Sequence, residues 1–261
     1  MSRIAIGLEY DGRDFCGWQS QPGCCGVQDA LERAVAEIAC HPVAVTAAGR
    51  TDTGVHANYQ VAHFDTPTDR PLSAWVRGVN SHLSNGVAIM WSRHMPDDFH
   101  ARFMVEERGY RYVLLNHPVR PGLMAGKIGW HHRPLDEKQM SQAASLLLGR
   151  HDFSAFRAAE CQAKTPEKEL RQAAIERKGD YLVFDFRADG FLHHMVRNIV
   201  GCLVHIGTGG AEPGWVDELL THKDRTQAAP TFMPDGLYLS YIRYPSHFDL
   251  PSSGRLAWPC G

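Results

Sequence analysis

Long hydrophobic segments are missing from this sequence. No apolar run reaches the roughly 18 residues that a membrane-spanning helix requires. Residues 1–10 read as a strand and lack the basic-then-apolar layout of a secretory signal peptide. The hydrophobic share of 44% and the charged share of 21% are those of an ordinary globular protein. We therefore expect a cytoplasmic protein that does not associate with a membrane.

Paired cysteines are also missing. The seven cysteines form no CxxC pair, and adjacent Cys24 and Cys25 are poorly placed to bridge each other or to supply two corners of a zinc site. Two histidine pairs, His131–His132 and His193–His194, suggest metal at first sight. Adjacent side chains point about 100° apart on a helix and to opposite faces of a strand, so neither pair can easily share an ion. We expect reduced thiols and no metal site.

An excess of one charge is absent as well, since 27 Lys and Arg stand against 29 Asp and Glu, for a formal net charge of −2. A nucleic-acid partner would therefore have to be attracted by a local basic surface. The side chains that could form such a surface are Arg102, Arg108, Arg111, Arg150, Arg157 and Lys164. Composition alone neither supports nor excludes this partner.

The 261 residues are enough for two lobes, and the hydrophobic pattern predicts two similar ones. The first lobe is predicted to have strands at 3–12, 42–49, 59–66 and 87–94, and helices at 27–40 and 71–83. The second is predicted to have strands at 109–117, 170–177, 181–188 and 236–244, and helices at 136–149 and 191–207. Each lobe then has the element order β-α-β-β-α-β, which is typical of ferredoxin-like folds.

We therefore expect an α/β (α+β) fold of two ferredoxin-like halves. Their mainly antiparallel sheets would be joined side by side and leave a cleft between them. The predicted boundaries are 1–103 for the first half, 104–247 for the second half and 248–261 for an irregular tail rich in proline and glycine. The charged, weakly periodic tract 156–169 is predicted to be a loop.

The segment AGRTDTGVHA, residues 47–56, contains a carboxylate, Asp52, between Arg50 and His56. The flanking Gly49 and Gly54 would let a ligand approach closely. An ordinary hairpin turn also favours Asp and Gly, but it does not need this combination of residues. The DTG triplet occurs in aspartic proteases too, yet here it occurs once and in an α/β context. The segment therefore predicts a functional carboxylate.

Six segments together resemble one known family, tRNA pseudouridine synthase I, also called TruA. They are GRTDTGVHA (49–57), PDDFHARF (96–103), RGYRYVLLNHPVRP (108–121), HDFSAFRA (151–158), FLHHMVRNIVG (191–201) and GLYL (236–239). The similarity runs from about residue 3 to 250 in the family's order. Two residues depart from the family's usual pattern: Thr53, where alanine is common, and Gly109, where a basic residue often precedes the tyrosine.

The resemblance implies an isomerase that converts uridine to pseudouridine at positions 38, 39 and 40 of the tRNA anticodon stem-loop. It also implies a homodimer that works without a cofactor. By the same resemblance Asp52 is the essential catalytic carboxylate and Arg50 assists base flipping. Arg197 would lie against Asp52, Tyr110 would stack on the uracil, and Leu237 would close the apolar wall of its pocket.

Several alternatives remain beside this interpretation. Tyr110 could be an ordinary core tyrosine, and Arg197 could be a helix-surface arginine. The element order is also that of RNA-recognition modules that bind without catalysis, although their aromatic-rich strand signature is missing here. A hydrolase that uses Asp52 and His56 is a further alternative. The sequence is compatible with three first steps of the reaction: attack of Asp52 on uracil C6, attack of Asp52 on C1′, and removal of the C2′ proton.

Overall fold

The computed structural model describes residues 1–22 and 26–253. Cys24, Cys25 and the predicted tail from residue 254 onward lie outside the described residues. The chain forms two compact units. The first comprises Met1–Glu106 and the segment that begins at Tyr238, and the second is Glu107–Leu237.

The first unit has the element order of a ferredoxin-like fold. Its elements are β1 (Ser2–Tyr10), α1 (Val27–Ala39), β2 (Thr46–Ala47), β3 (His56–Thr66), a π-helical turn (Ala74–Gly78) that continues into α2 (Val79–His82), and β4 (Val87–Met95). The strands pair in the order β4-β1-β3-β2, with every pair antiparallel. This strand order places β3, which follows the Asp52 segment, beside the central strand β1.

Helix α1 forms where the apolar spacing predicts it. Val27, Leu31 and Val35 recur every four residues and are fully buried, so they form one stripe toward the core. The Asp29 carboxylate accepts a hydrogen bond of 2.8 Å from the Gly26 N–H, which satisfies a backbone donor at the helix start. The helix ends at Ala39, because the next residue, Cys40, has a left-handed φ of 60°.

The second unit combines a four-stranded antiparallel sheet with three helices among its described residues. Its elements are β5 (Glu107–Asn116), β6 (Gly129–His131), α3 (Glu137–Leu146), β7 (Gly149–Asp152), β8 (Glu167–Lys178), β9 (Tyr181–Ala188), α4 (Met195–Gly207) and α5 (Trp215–His222). The sheet order is β5-β9-β8-β7, and the short β6 pairs with β5 in parallel.

The last strand, β10 (Leu237–Arg243), returns to the first unit for most of its length. Tyr238 and Leu239 pair in parallel with His56 and Ala57 at the start of β3. β2 pairs with β3 further along, at Thr46–Ala47. β10 therefore lies beside the end of the Asp52 segment, at His56, and the residue that follows it.

The predicted fold class, α+β with mainly antiparallel sheets, is confirmed. The predicted start of the helix at 191 is wrong, because His194 has a left-handed φ of 61° and α4 begins only at Met195. The short elements β6, β7 and α5 are absent from the prediction. None of the helices within 1–22 and 26–253 is long and apolar enough to cross a bilayer.

Candidate active site

Asp52 is the first residue of a tight turn that leads into β3. The Val55 N–H donates a hydrogen bond of 3.1 Å to the Asp52 carbonyl. Gly54, the third residue of the turn, has a φ of 77°, a left-handed conformation that favours glycine. The Asp52 side chain is half-buried, whereas Arg50 and Thr53 are exposed. The segment is thus a true turn, and its carboxylate is partly withdrawn from water.

The chain just before Asp52 is fixed by buried side chains. Gln60 is fully buried; its Nε2 donates a hydrogen bond of 2.7 Å to the Gly49 carbonyl and its Oε1 accepts one of 3.3 Å from the Gly49 N–H. The Tyr10 hydroxyl and Thr51 Oγ1 lie 2.8 Å apart in the core. The Thr51 side chain therefore points into the core, and its hydroxyl anchors the turn to Tyr10.

Burial raises the pKa of the Tyr10 phenol, which is therefore a neutral hydrogen-bonding group at physiological pH. Its hydroxyl is hydrogen-bonded to Thr51 Oγ1. The backbone N–H of Trp18 donates a hydrogen bond of 3.0 Å to the Thr51 carbonyl. The backbone that carries Asp52 is consequently tied to β1, to β3 and to the loop after β1.

Two glycines in the loop after β1 let this loop contact the Asp52 turn closely. Gly17 has a φ of 90°, and a Cβ there would lie 2.6 Å from the Thr51 carbonyl oxygen. A Cβ on Gly12 would lie 2.1 Å from the Val55 carbonyl oxygen. Real Cβ atoms do not approach backbone this closely, so both positions require glycine.

Sequence reasoning missed Tyr10, Gly12, Gly17 and Gln60 as supports of this turn. The two glycines were visible in the segment YDGRDFCGW that follows the first strand. Their partners, however, lie more than thirty positions away along the chain, so no local pattern identifies them.

Removing the Tyr10 hydroxyl tests this anchoring. We expect Tyr10→Phe to lower the free energy of unfolding by about 1–3 kcal/mol, because it leaves a buried Thr51 hydroxyl without this partner. Urea unfolding measures the effect. Adding Thr51→Val, which removes the other partner at similar shape, should recover part of the loss. A Tyr10→Phe variant as stable as the parent would contradict the anchoring.

The His56 side chain is buried, and its ring is held by stacking and by a hydrogen bond. The side chain is 2% exposed, and its ring stacks on Tyr238 with a centroid distance of 4.7 Å and an interplanar angle of 18°. The Gly12 N–H donates a hydrogen bond of 3.0 Å to His56 Nδ1. Asp11 Oδ1 lies 3.2 Å from the same nitrogen, which is an ion pair only when the ring is protonated. A ring held in this way does not suit the general base of a hydrolase.

Arg50 extends from the loop two residues before Asp52. Partial burial and the positive charge of Arg102 lower the pKa of the Arg50 guanidinium, which stays charged at any physiological pH. Arg102, from the segment after β4, is also exposed. The surface beside the Asp52 turn therefore has two like charges close enough to interact, which suits an anionic ligand.

In the second unit, Arg197 lies in the first turn of α4 and is coupled to the segment before β10. Its Nε donates a hydrogen bond of 2.9 Å to the Phe232 carbonyl, and the Phe232 N–H donates one of 3.2 Å to the Arg197 carbonyl. The adjacent Asn198 is fully buried; its Nδ2 donates to the Phe156 carbonyl over 2.8 Å, and its Oδ1 accepts from Thr231 Oγ1 over 2.7 Å. These bonds fix the start of α4, and Asn198 is a support that sequence reasoning missed.

The other two predicted residues of this unit are buried. Tyr110 on β5 is 9% exposed, and the edge of its ring contacts Phe191 at a centroid distance of 5.1 Å. Leu237 at the start of β10 is 4% exposed. Such burial is expected both of core residues and of residues that line a pocket. The predicted site residues thus fall into two groups, with Arg50 and Asp52 in the first unit and the other three in the second.

Comparison with known proteins reveals similarity over nearly the whole chain. A family model described as tRNA pseudouridine synthase matches residues 7–104 and 143–245. The protein named tRNA pseudouridine synthase A from Thiobacillus denitrificans is 68% identical over 259 residues, which cover 99% of each chain. Proteins of the same name from Dechloromonas aromatica and Chromobacterium violaceum are each 59% identical, over 95% and 96% of both chains respectively.

Proposed function

Because this chain belongs to the tRNA pseudouridine synthase family, we propose that it isomerises uridine to pseudouridine at positions 38, 39 and 40 of the tRNA anticodon stem-loop, with Asp52 as the catalytic carboxylate. The family resemblance predicted from the motifs is confirmed, and with it the enzyme class, an isomerase. The observation that carries the assignment of Asp52 is the turn itself, in which the buried side chains of Tyr10 and Gln60 fix the backbone just before a half-buried carboxylate.

The reaction needs little beyond such a carboxylate. The bond from C1′ to N1 breaks, the base turns over, and C1′ bonds to C5, so nothing is oxidised and nothing is added. Attack on C6, attack on C1′ and removal of the C2′ proton all begin with an ionised Asp52. A carboxylate on a backbone that is fixed before the substrate arrives has less freedom to lose on reaction, which lowers the barrier.

A base inside a stem or a stacked loop must swing out before Asp52 can reach it. Arg50 suits the proposed part in base flipping because it is exposed, charged and only two residues from Asp52. A guanidinium can also stack on the bases that remain or pair with a phosphate. In this proposal Arg50 stabilises the RNA that the target base has left.

Three residues of the second unit complete the proposal. Arg197, whose Nε is held by the Phe232 carbonyl, would keep the Asp52 carboxylate ionised through its remaining donors. Tyr110 would stack on the uracil and handle the C5 proton, and Leu237 would close the apolar wall. These roles rest on the family motifs that contain the three residues and on their positions at an anchored helix start and on buried strands.

We also propose a cytoplasmic homodimer. A tRNA is far larger than a protein of 29.1 kDa can embrace, so a second subunit would bind the body of the RNA while the first performs the chemistry. Light scattering at micromolar concentration should give twice the mass of one chain.

Tritium release tests the proposed reaction. The purified protein, incubated with tRNA labelled at uridine C5, should release tritium as C5 bonds to C1′. Mapping of the product should find pseudouridine at positions 38 to 40. Binding of tRNA without tritium release would instead favour the non-catalytic RNA-binding module.

A further inference from the structure

The turn that follows β4 is anchored in the core of the first unit. Ala101 is fully buried, and its N–H donates a hydrogen bond of 3.2 Å to His63 Nδ1 on β3. The Ala101 carbonyl accepts a hydrogen bond of 2.6 Å from the Tyr244 hydroxyl. Both backbone groups of Ala101 are thus used, and the residues that follow project from a fixed point.

His100 shapes the exposed side of this turn. Its Nδ1 accepts hydrogen bonds of 3.2 Å from the Arg102 N–H and from the Phe103 N–H. Burial, followed by the charge of Arg3, lowers the pKa of His100, and the same causes lower the pKa of His63 to about 4. Both imidazoles are therefore neutral at physiological pH, and because Nδ1 of each ring accepts backbone N–H bonds, the single ring proton lies on Nε2.

The turn displays an aromatic ring. The His100 ring stacks on the Phe103 ring with a centroid distance of 4.2 Å and an interplanar angle of 24°. Phe103 is nevertheless 74% exposed, so the ring face turned away from His100 is open to solvent. Unlike a mobile exposed side chain, a ring held by His100 on a fixed turn loses little freedom when a second flat ring stacks on its open face.

Positive charge accompanies the ring. The Arg102 guanidinium carbon lies 5.9 Å from the Phe103 ring centroid, at the outer limit for a cation–π contact. Arg102 in turn interacts electrostatically with Arg50, which precedes Asp52 by two residues. An aromatic face beside two guanidinium groups fits a base attached to phosphates. An apolar protein surface fits poorly, because docking it there would bury charged groups.

We propose that Phe103 is a stacking platform for an unpaired nucleobase of the RNA substrate, other than the reacting uracil, and that Arg102 and Arg50 neutralise the phosphates beside this base. The proposal rests on the proposed function and specifies how that site binds its RNA. Stacking on a flat ring tolerates any base, so the platform contributes affinity without restricting the sequence that is bound.

The test measures the affinity of the full chain for anticodon stem-loop RNA at several salt concentrations. We expect Phe103→Ala to raise Kd by about 10-fold, a typical loss for one stacked base. The dependence of log Kd on log salt should keep its slope, since no charge is removed. Arg102→Gln should reduce that slope by about one, as expected for one lost phosphate contact.

Two further substitutions separate stacking from apolar packing. Phe103→Trp keeps a flat ring and should bind RNA like the parent. Phe103→Leu keeps the apolar character without the ring and should bind as weakly as Phe103→Ala. The matched control is Leu123→Ala in the second unit, where Leu123 is 97% exposed and its truncation should leave Kd unchanged.

Three results would overturn the platform: a parental Kd for Phe103→Ala, a parental Kd for Phe103→Leu, or a halved mass in light scattering for Phe103→Ala. The last result would assign the ring to a contact between copies of this chain. The proposed reaction is tested separately, and it would be refuted if the parent protein released no tritium. If the parent protein released tritium and Phe103→Ala bound the RNA with the Kd of the parent, only the stacking proposal would be wrong.

Discussion

Asp52→Asn should fold and bind tRNA like the parent but form no detectable pseudouridine. Asn keeps the size of the side chain, and the Asp52 carbonyl that accepts from the Val55 N–H belongs to the backbone and is unchanged. Phosphate contacts elsewhere supply most of the affinity for RNA. The negative charge, however, is lost, and turnover should fall on the order of 10⁴-fold or more, as when other enzymes lose an essential catalytic group. Tritium release from C5-labelled tRNA measures turnover.

Asp180→Asn is the matched control, because Asp180 is an exposed turn residue of the β8–β9 hairpin and should tolerate the change. If Asp52 served only its turn, Asn would serve nearly as well, and activity would survive. Measurable pseudouridine formation by Asp52→Asn would therefore refute the catalytic role.

Gly17→Ala should damage both stability and turnover although Gly17 carries no side chain. Its φ of 90° is strained for alanine, and the added Cβ would lie 2.6 Å from the Thr51 carbonyl oxygen. Strain and crowding together should lower the free energy of unfolding by about 2–4 kcal/mol. Relief of the crowding must move the Asp52 turn, and a shift on the order of 1 Å costs about 100-fold in turnover. Affinity for tRNA should change much less.

Gly149→Ala separates the crowding from the backbone strain. Gly149 has a similar φ of 99°, but the nearest atom to its added Cβ, Nε2 of His151, would be at an ordinary distance of 3.6 Å. We expect a smaller loss of stability, about 1–2 kcal/mol, and parental turnover. If Gly17→Ala and Gly149→Ala lost turnover equally, the loss would come from general destabilisation, and the proposed displacement of the Asp52 turn would be wrong. Urea unfolding and tritium release at saturating tRNA make the comparison.

Local sequence determined the long elements and the family. The four-residue spacing of Val27, Leu31 and Val35 predicts α1 because a helix turns once in 3.6 residues. Motifs such as GRTDTGVHA identify the family because each is a contiguous run in which nearly every residue type agrees with the family's pattern. Strands of three or four residues, such as β6 and β7, are too short to establish a period, so the pattern does not reveal them.

Only the tertiary structure decided what supports the Asp52 turn and what surrounds it. Tyr10 meets Thr51 across 41 positions of the chain, and Gly17 meets the same segment from the loop after β1. His56, which from the sequence could be a catalytic base, proves to be a buried ring stacked on Tyr238, and β10 pairs in parallel with the start of β3. Such contacts depend on which distant segments the folded sheets bring together, whereas periodicity reports only the neighbours of a residue along its own helix or strand.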